Sequence, residues 1–293
     1  MLGALGTLLF FAVTPVFAHQ AAQRLGSTQA NFWRLAVAAV MLGAWSHGWG
    51  AGIGGTAFGW FVLGGVAGFG IGGVAMFQSL PRLGSNVSTL VVQCGSAIVA
   101  AVVEFTWLGT RLTWPQAGFA ALTLVGVVIG LMPRTWPRMP REAWRSGLAW
   151  ALLSAVGQGV GAVISRKAFA VAAGAHERID PGTAAYQRVL GGLAVAALAW
   201  AVHRWWRREA ARRAGRAWSW VLANAFTGPV LGVTCYQWAL RSAPAGLVQP
   251  VVAAAPLLTI PFALWAEGSR PRAAYYAGAV LAVAGVAGLL AGR

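Results

Sequence analysis

One apolar segment of the sequence carries a row of polar side chains, and this row is the strongest candidate for a functional surface. The row follows helical steps through Asn86, Thr89, Gln93, Ser96 and Glu104. In a helix, this spacing places all five side chains on one face. Amides, hydroxyls and a carboxylate inside an apolar helix are costly unless they are paired or face water, so we expect this face to look into the protein.

Three further apolar segments carry narrower stripes at helical spacing. They are Ser154, Gln158, Gly161 and Ser165; Thr7, Phe10, Thr14 and Phe17; and Asn224, Thr227, Leu231 and Trp238. Together with the first row, these stripes predict a cavity that binds a small solute. The predicted substrate-binding residues are Thr14, Phe17, Gln78, Asn86, Thr89, Gln93, Gln158, Trp238 and Gln249. The alternative is that each amide or hydroxyl only bonds a neighbouring helix.

Glu104 is the acid that lies well inside an apolar segment. A carrier coupled to protons or sodium needs such a group, so Glu104 is the candidate for coupling. A structural pairing with Arg111, or a position at the membrane interface, explains the same residue without coupling.

Arg34 and Arg188 occupy equivalent places near the starts of two apolar segments, each about one turn into the segment. Their positive charge suggests a site for an anion. Because they recur in both halves of the chain, we favour a structural role, either in capping the C-termini of neighbouring helices or in snorkelling to the membrane surface.

No residues in the sequence have the spacing of a catalytic or metal site. The four histidines lie at or beyond the predicted helix ends, and none has cysteine or carboxylate partners at metal-ligand spacing. There is no Gly-x-Ser-x-Gly motif, and the glycine-rich stretch 50–73 lacks the lysine and preceding strand of a phosphate loop. Cys94 and Cys235 are expected to be apolar fillers. We therefore predict no enzyme activity, no metal and no cofactor.

The composition is that of an integral membrane protein. Of 293 residues, 58% are hydrophobic and 10% are charged, so several segments have no polar face to offer water. The net charge of +16 comes from arginines in the turns between apolar segments, where they set topology and meet anionic lipid headgroups. No separate basic domain exists to bind nucleic acid. The expected partners are a small-molecule substrate and the bilayer, for a monomer or weak homodimer.

Apolar windows of about 20 residues predict an all-α membrane protein with ten transmembrane helices. The predicted spans are 2–19, 31–46, 57–78, 86–107, 116–132, 147–169, 183–203, 218–239, 246–266 and 274–291. The first span resembles a signal peptide, but it lacks a basic start and has a counterpart in the second half.

The second half of the sequence repeats the plan of the first. The stretches 72–118 and 232–278 each read as helix, short turn, helix, basic turn and the start of a third helix. The chain then divides into a five-helix repeat at 1–133, a linker at 134–146 and a second repeat at 147–293. An odd number of spans in each unit requires opposite orientations, which places a site between the units near the midplane.

The basic residues also predict the orientation. Loops after odd-numbered helices hold fourteen arginines, whereas loops after even-numbered helices and the C-terminal tail hold six basic residues. The positive-inside rule then places the odd loops in the cytoplasm and both termini outside. Tryptophans cluster where spans should end, for example Trp205 and Trp206, which indicates an interfacial belt.

Four segments resemble the drug/metabolite transporter superfamily, in particular its ten-helix EamA-type branch, and the resemblance covers essentially the whole chain. They are Phe32-Trp33-Arg34, the turn 108–113 leading to Gly118 and Gly126, the turn and helix start 240–250, and the segment 276–285. The resemblance implies two inverted five-helix repeats around a cavity lined by helices one, three, four, six, eight and nine, with alternating access. Thr110 and Ser269 stand where family members commonly have glutamate, so this chain departs from the family at these two positions.

This resemblance and the polar stripes together predict an inner-membrane exporter or facilitator of aromatic or neutral amino acids, or of related metabolites, in a bacterial-type cell. Phe10, Phe17 and Trp238 beside polar groups suit an amphipathic zwitterion. With so few buried carboxylates, facilitated diffusion or exchange fits as well as proton coupling. The alternative is a translocase for lipid-linked sugars or lipid headgroups, for which the arginine-rich loops are suited.

Overall fold

All regular structure in the described residues is helical. The computed structural model describes residues 1–132, 140–207, 215–258 and 273–291, and no strand occurs within these ranges. We number the long helices in chain order. They are α1 Leu2–Leu25, α2 Ser27–Trp49, α3 Phe58–Leu83, α4 Ser85–Leu108, α5 Trp114–Leu131, α6 Arg141–Gly174, α7 Pro181–Arg207, α8 at 218–242, α9 Ala245–Leu258 and α10 Ala273–Ala291.

Seven of the described helices are long and apolar enough to cross a bilayer, on length and composition alone. They are α1, α3, α4, α5, α6, α7 and α10. Helix α9 is shorter within the described residues, and the rest of the span predicted at 246–266 lies outside them. The chain is therefore a multi-pass integral membrane protein.

Several helices extend beyond the apolar windows that predict them. Helix α6 runs from Arg141 to Gly174, so it takes in part of the predicted linker and continues past residue 169. Helix α1 likewise continues to Leu25. A helix continues into the polar interface until a breaking or capping residue ends it. Gly26 and Gly84, with φ of 82° and 79°, provide such ends for α1 and α3.

Helices α3 and α8 each contain a π turn at the same place in the repeat. The turns are Val66–Ile71 and Phe226–Gly232. In α8, Pro229 favours the irregular turn because proline cannot donate a backbone hydrogen bond. A π turn changes the hydrogen-bond partners of nearby carbonyls, and such turns are frequent at functional sites.

Helices α2 and α7 pack against each other in antiparallel orientation. Near the start of α2, Phe32 stacks on Trp200, which lies late in α7, with ring centroids 4.5 Å apart. At the other end, the Trp45 indole donates to the Asp180 carboxylate, which directly precedes α7, over 3.1 Å. Helices α2 and α7, which occupy equivalent places in the two halves, therefore run in opposite directions.

Helices α5 and α10 form a second antiparallel pair, in which glycine permits close approach. A Cβ at Gly126 of α5 would overlap the backbone of Ala282, and a Cβ at Gly278 of α10 would overlap the backbone of Gly130. Small residues are used in this way in membranes, because apolar side chains gain little when they leave lipid for a helix contact.

Other contacts also cross between the halves. Helix α1 packs on α8, where the Thr14 hydroxyl donates to that of Thr227 over 3.2 Å. Helix α6 of the second half packs on α3 of the first, where the Ser154 hydroxyl donates to the Gly72 carbonyl over 2.8 Å. Helix α9 packs on α4. The boundary between residues 1–132 and residues 140–291 therefore runs through the interior of the protein.

Large apolar side chains cover the outer surface of the helices. Exposed examples are Leu2, Leu9, Val40, Ile98, Leu198, Val280 and Val283. Trp114, at the start of α5, is 92% exposed, and Trp205 and Trp206 are exposed at the end of α7. Apolar faces between aromatic ends are typical of a surface that meets lipid.

Candidate functional site

Glu104 is at the centre of a charged contact that joins four helices. Its carboxylate is buried, with 2% of the side chain exposed, and accepts from Arg166 Nε of α6 over 3.3 Å. Its other oxygen accepts from the backbone N–H of Gly246, in the first turn of α9, over 2.9 Å. Arg166 also donates to the Leu240 carbonyl of α8 over 2.9 Å. We call these four residues the Glu104 clasp.

The predicted pairing of Glu104 with Arg111 is wrong, because the carboxylate binds Arg166 instead. Arg111 lies in the turn after α4, with its guanidinium 6.0 Å from the Phe105 ring centroid. Arg166 was counted among the basic residues of the loops, although it lies near the end of the predicted span 147–169; α6 continues to Gly174, so Arg166 lies inside the helix. The partial positive charge of the first turn of α9 also stabilises the carboxylate. A coupling role for Glu104 stays a prediction.

An open pocket of about 840 Å³ lies at the C-terminal ends of α4, α6 and α8. Its lining includes four cations, Arg166, Lys167, Arg178 and Arg241, with a single carboxylate from Glu177. Trp107 and Phe169 add aromatic surface. This excess of positive charge attracts anionic groups to the pocket. By the arginine count, the pocket belongs to the face predicted to lie outside the cell.

A buried arginine lies in the interior where α3, α6, α7 and α8 meet. Arg188 is only 4% exposed, and its Nη1 donates to the Ser165 hydroxyl over 3.0 Å. Its Nη2 reaches the Gly64 carbonyl over 3.4 Å, and its Nε has no hydrogen-bond partner. The guanidinium lies between Phe69 and Tyr236, at 5.3 and 5.8 Å from the ring centroids. We call this arginine and its neighbours the Arg188 cluster.

The Arg188 cluster includes one amide that sequence reasoning missed. Gln237 of α8 is fully buried, and its Nε2 lies 3.5 Å from the same Ser165 hydroxyl that accepts from Arg188. Its Oε1 has no partner. Gln237 is a polar residue in an apolar helix, and this alone marks it as a candidate. The predicted stripe of α8 instead followed the face of the neighbouring residue Trp238.

The equivalent arginine of the first half has a different environment. Arg34 donates from Nε to Asn31 of its own helix over 2.9 Å, and its guanidinium lies 5.7 Å from the Phe77 ring centroid. Of the two structural roles predicted for these arginines, snorkelling does not fit Arg188, whose side chain is enclosed by four helices. Its contact with Gly64 has the form expected for capping of a carbonyl in a neighbouring helix.

The predicted substrate residues lie in separate places. Thr14 bonds Thr227, and Phe17 packs against Trp220 with centroids 6.1 Å apart, both in the contact of α1 with α8. Near the end of α3, the Gln78 side chain accepts from Arg82 over 3.0 Å. Thr14 therefore bonds a neighbouring helix, as the alternative to a cavity lining expects, whereas Gln78 bonds a residue of its own helix.

The other predicted residues differ in burial. Gln158 lies in the packed contact of α6 with α3 and donates to the Ser154 hydroxyl over 3.2 Å. Thr89 and Gln93 are half-buried, and Gln249 is buried. Trp238 is 48% exposed. The side chain of Asn86 lies outside the described residues. Substrate binding by these residues stays a prediction.

A polar network secures the end of α7 that lies near the pocket. The Asp180 carboxylate accepts from the backbone N–H groups of Gly182 and Thr183, from the Thr183 hydroxyl and from Trp45. Partial burial acts to raise the pKa of Asp180, but the hydrogen bonds from Thr183, Trp45 and Gly182 together outweigh it and lower the pKa below its ordinary value. Asp180 is thus a charged cap on the first turn of α7.

The fold is that of a helical membrane protein with buried charges in its interior. The sequence model of the EamA-like transporter family matches residues 1–132 and 145–291, and the chain belongs to this family. No curated protein matches the sequence. A solved structure, titled only as the crystal structure of a protein, is similar with a TM-score of 0.75 over 98% of this chain and 94% of that chain, at 19% identity. At this identity the likeness concerns the fold.

Proposed function

We propose that this protein exports or facilitates the movement of aromatic or neutral amino acids, or related small metabolites, across a bacterial-type inner membrane. In this proposal, ten transmembrane helices form two inverted five-helix repeats around a central cavity, and the repeats rock to give alternating access. The antiparallel packing of α2 with α7 and of α5 with α10 supports the inverted arrangement. The π turns at equivalent places in α3 and α8 support it as well.

The observation that carries the proposal is that the buried polar contacts join one half of the chain to the other. The Glu104 carboxylate of the first half binds Arg166 and Gly246 of the second. Arg188 of the second half reaches Gly64 of the first. Polar contacts inside a membrane protein hold the helices in discrete arrangements. In this proposal, one set of contacts between the halves is replaced by another, and the two resulting conformations open to opposite sides of the membrane.

A flux assay tests this function. The purified protein is reconstituted into liposomes loaded with unlabelled amino acids, and uptake of radiolabelled phenylalanine, tryptophan, leucine and alanine is measured in counterflow. We expect saturable uptake of at least one of them above that of empty liposomes. Uptake no greater than in empty liposomes for every amino acid tested would contradict the proposal.

A pair of variants on α4 sharpens the assay. Gln93→Ala removes a half-buried amide of the polar row, and we expect it to reduce uptake. Thr106→Ala removes an exposed hydroxyl that bonds only carbonyls of its own helix, so uptake should be unchanged. Equal uptake by the two variants would remove Gln93 from the substrate path without affecting the wider proposal.

A lipid headgroup translocase is the second candidate, and the pocket at the ends of α4, α6 and α8 is the observation in its favour. Arg166, Lys167, Arg178 and Arg241 form an open basic surface that suits a phosphate group. Reconstitution with fluorescent phospholipids and reduction by dithionite would detect their movement between leaflets. Lipid movement without amino acid flux would replace the first candidate by the second.

A further inference from the structure

We propose that Arg188 binds the carboxylate of the transported molecule, and that the Arg188 cluster is the subsite for the polar head of an α-amino acid. This inference rests on the proposed transport function and deepens it. It assigns a ligand group to a side chain that sequence reasoning treated as structural, and it predicts that transported molecules carry a carboxylate.

The first argument is charge. Within the described part of the chain, the ion pair formed is that of Glu104 with Arg166, and no carboxylate pairs with Arg188. Its partners are a hydroxyl and a backbone carbonyl, both neutral. A buried cation without a counter-charge is strongly unfavourable, and such residues in membrane proteins are commonly retained for a ligand. A bound carboxylate supplies the missing charge.

The second argument is the geometry of the guanidinium. Nη1 is held by Ser165, whose hydroxyl is itself oriented by donation to the Gly161 carbonyl over 3.1 Å. The other edge of the planar group consists of Nε and Nη2. Nε has no partner, and Nη2 has only the long 3.4 Å contact with Gly64. The free edge has the two parallel donors that bind a carboxylate in bidentate fashion.

The third argument is the set of groups around the guanidinium. Gln237 shares the Ser165 hydroxyl with Arg188, and its buried Oε1 lacks a donor. An α-ammonium group would donate to this oxygen while the carboxylate binds Arg188. Phe69 and Tyr236 flank the guanidinium and provide apolar surface for a side chain. Cation, amide acceptor and aromatic rings together match an amphipathic amino acid.

In this conformation the Arg188 cluster is closed by α3. A Cβ at Gly68 would lie 2.7 Å from Arg188 Nη2, so the glycine face of α3 lies directly against the free edge. The same part of α3 contains the π turn Val66–Ile71. A ligand reaches the edge when α3 moves away from α7, and the irregular turn is the place where α3 yields most easily.

A competition experiment on the wild-type protein tests the inference without any variant. Uptake of radiolabelled phenylalanine into proteoliposomes is measured with 3-phenylpropionate, which keeps the carboxylate, and with phenylalaninamide, which lacks it. We expect the amide to compete at least about tenfold more weakly than phenylalanine, because loss of a charge-assisted bidentate pair has at least this effect. Equal competition by phenylalanine and its amide would overturn the inference while leaving transport intact.

Variants give the second arm. Arg188→Gln should raise the KM for phenylalanine at least about tenfold, and it should abolish the preference for phenylalanine over its amide. Arg188→Lys should recover part of the affinity, because it restores charge without the paired donors. Arg34→Gln is the matched control, and its KM should stay near that of wild type. Size-exclusion profiles in detergent establish that each variant is folded.

The possible outcomes separate the two proposals. Absence of flux in the wild-type protein overturns the proposed function, and this inference with it. This inference alone is overturned by transport that does not depend on the carboxylate of the substrate. It is also overturned if Arg188→Gln leaves unchanged both the KM and the preference for phenylalanine over its amide. If Arg188→Gln does not fold, the wild-type competition experiment still decides.

Discussion

The crossing of α3 with α7 is closer than the equivalent crossing of α8 with α2, although the two arise from repeated sequence. At the first crossing, a Cβ on Gly65 would overlap the carbonyl of Arg188, and a Cβ on Gly191 would overlap that of Val62. In the register of the repeat, Ala225 and Val37 occupy the places of Gly65 and Gly191. The second crossing therefore accommodates side chains that the first excludes.

This difference explains why two equivalent arginines have different surroundings. Close approach of α3 encloses Arg188 and limits it to Ser165 and Gly64 as partners. Arg34 is bonded to Asn31 of its own helix instead. The two halves thus carry similar charges at equivalent places, but the small residues that surround them differ, and Arg188 lies between helices of both halves.

The largest effect on stability is expected from Gly65→Ala, which puts a methyl group into the closer crossing. Because backbone lies on both sides, the contact cannot relax, and we expect a loss of about 3 kcal/mol. Ala225→Gly at the equivalent place should cost only about 1 kcal/mol, from helix propensity and a lost methyl contact. Thermal unfolding in detergent measures both. Similar losses would show that the two crossings are equally close.

The next effect concerns the charged contact between the halves. Glu104→Ala leaves Arg166 and the Gly246 N–H without their partner. Breaking a buried pair costs about 3–5 kcal/mol, and we expect about 2 kcal/mol here because water can reach Arg166, whose side chain is 23% exposed. Glu142→Ala, at an exposed acid in the first turn of α6, should cost about 0.5 kcal/mol. Equal unfolding temperatures for the two variants would contradict a stabilising clasp.

A third comparison separates stability from ligand binding. Ser165→Ala and Asn31→Ala each remove the hydrogen-bond partner of one arginine, and each should destabilise by about 1–2 kcal/mol. Only Ser165→Ala should also raise the KM for the transported amino acid, by about fivefold. The Ser165 hydroxyl holds Nη1 of Arg188 and so orients the guanidinium, and the variant removes this contact. Flux and unfolding measured on the same preparations test this. A raised KM in both variants would indicate that both arginines contact the substrate.

The smallest effect is expected where α7 begins. Asp180 caps α7, whereas Gly26, in the equivalent place before α2, provides no side-chain cap. Asp180→Ala should destabilise by about 1 kcal/mol. Since the pKa of Asp180 is lowered in the folded protein, its stabilisation is complete above the ordinary aspartate pKa and is lost as the pH falls through the lowered value. The difference between wild type and variant should therefore shrink below about pH 4. A difference that is constant from pH 7 to pH 3 would contradict a role for the charge.

Much of the fold could be predicted from the sequence, and less of the site. The apolar windows place most helices within a few residues of their observed bounds, because hydropathy is a property of consecutive residues. The π turns were not predicted, although Pro229 and the glycines of α3 mark their positions. Arg166 lies near the end of the predicted span 147–169 and was counted with the loop residues, whereas α6 continues to Gly174.

The sequence by itself determined a multi-pass helical protein, its two repeats and the polar residues of its interior, since each follows from local composition or spacing. The tertiary structure decided which polar residues meet. Glu104 pairs with Arg166 rather than Arg111, and Arg188 is enclosed by four helices while Arg34 is half-buried. These outcomes depend on the rotation of each helix and on how closely two backbones can approach, and both are set jointly by side chains distant in sequence.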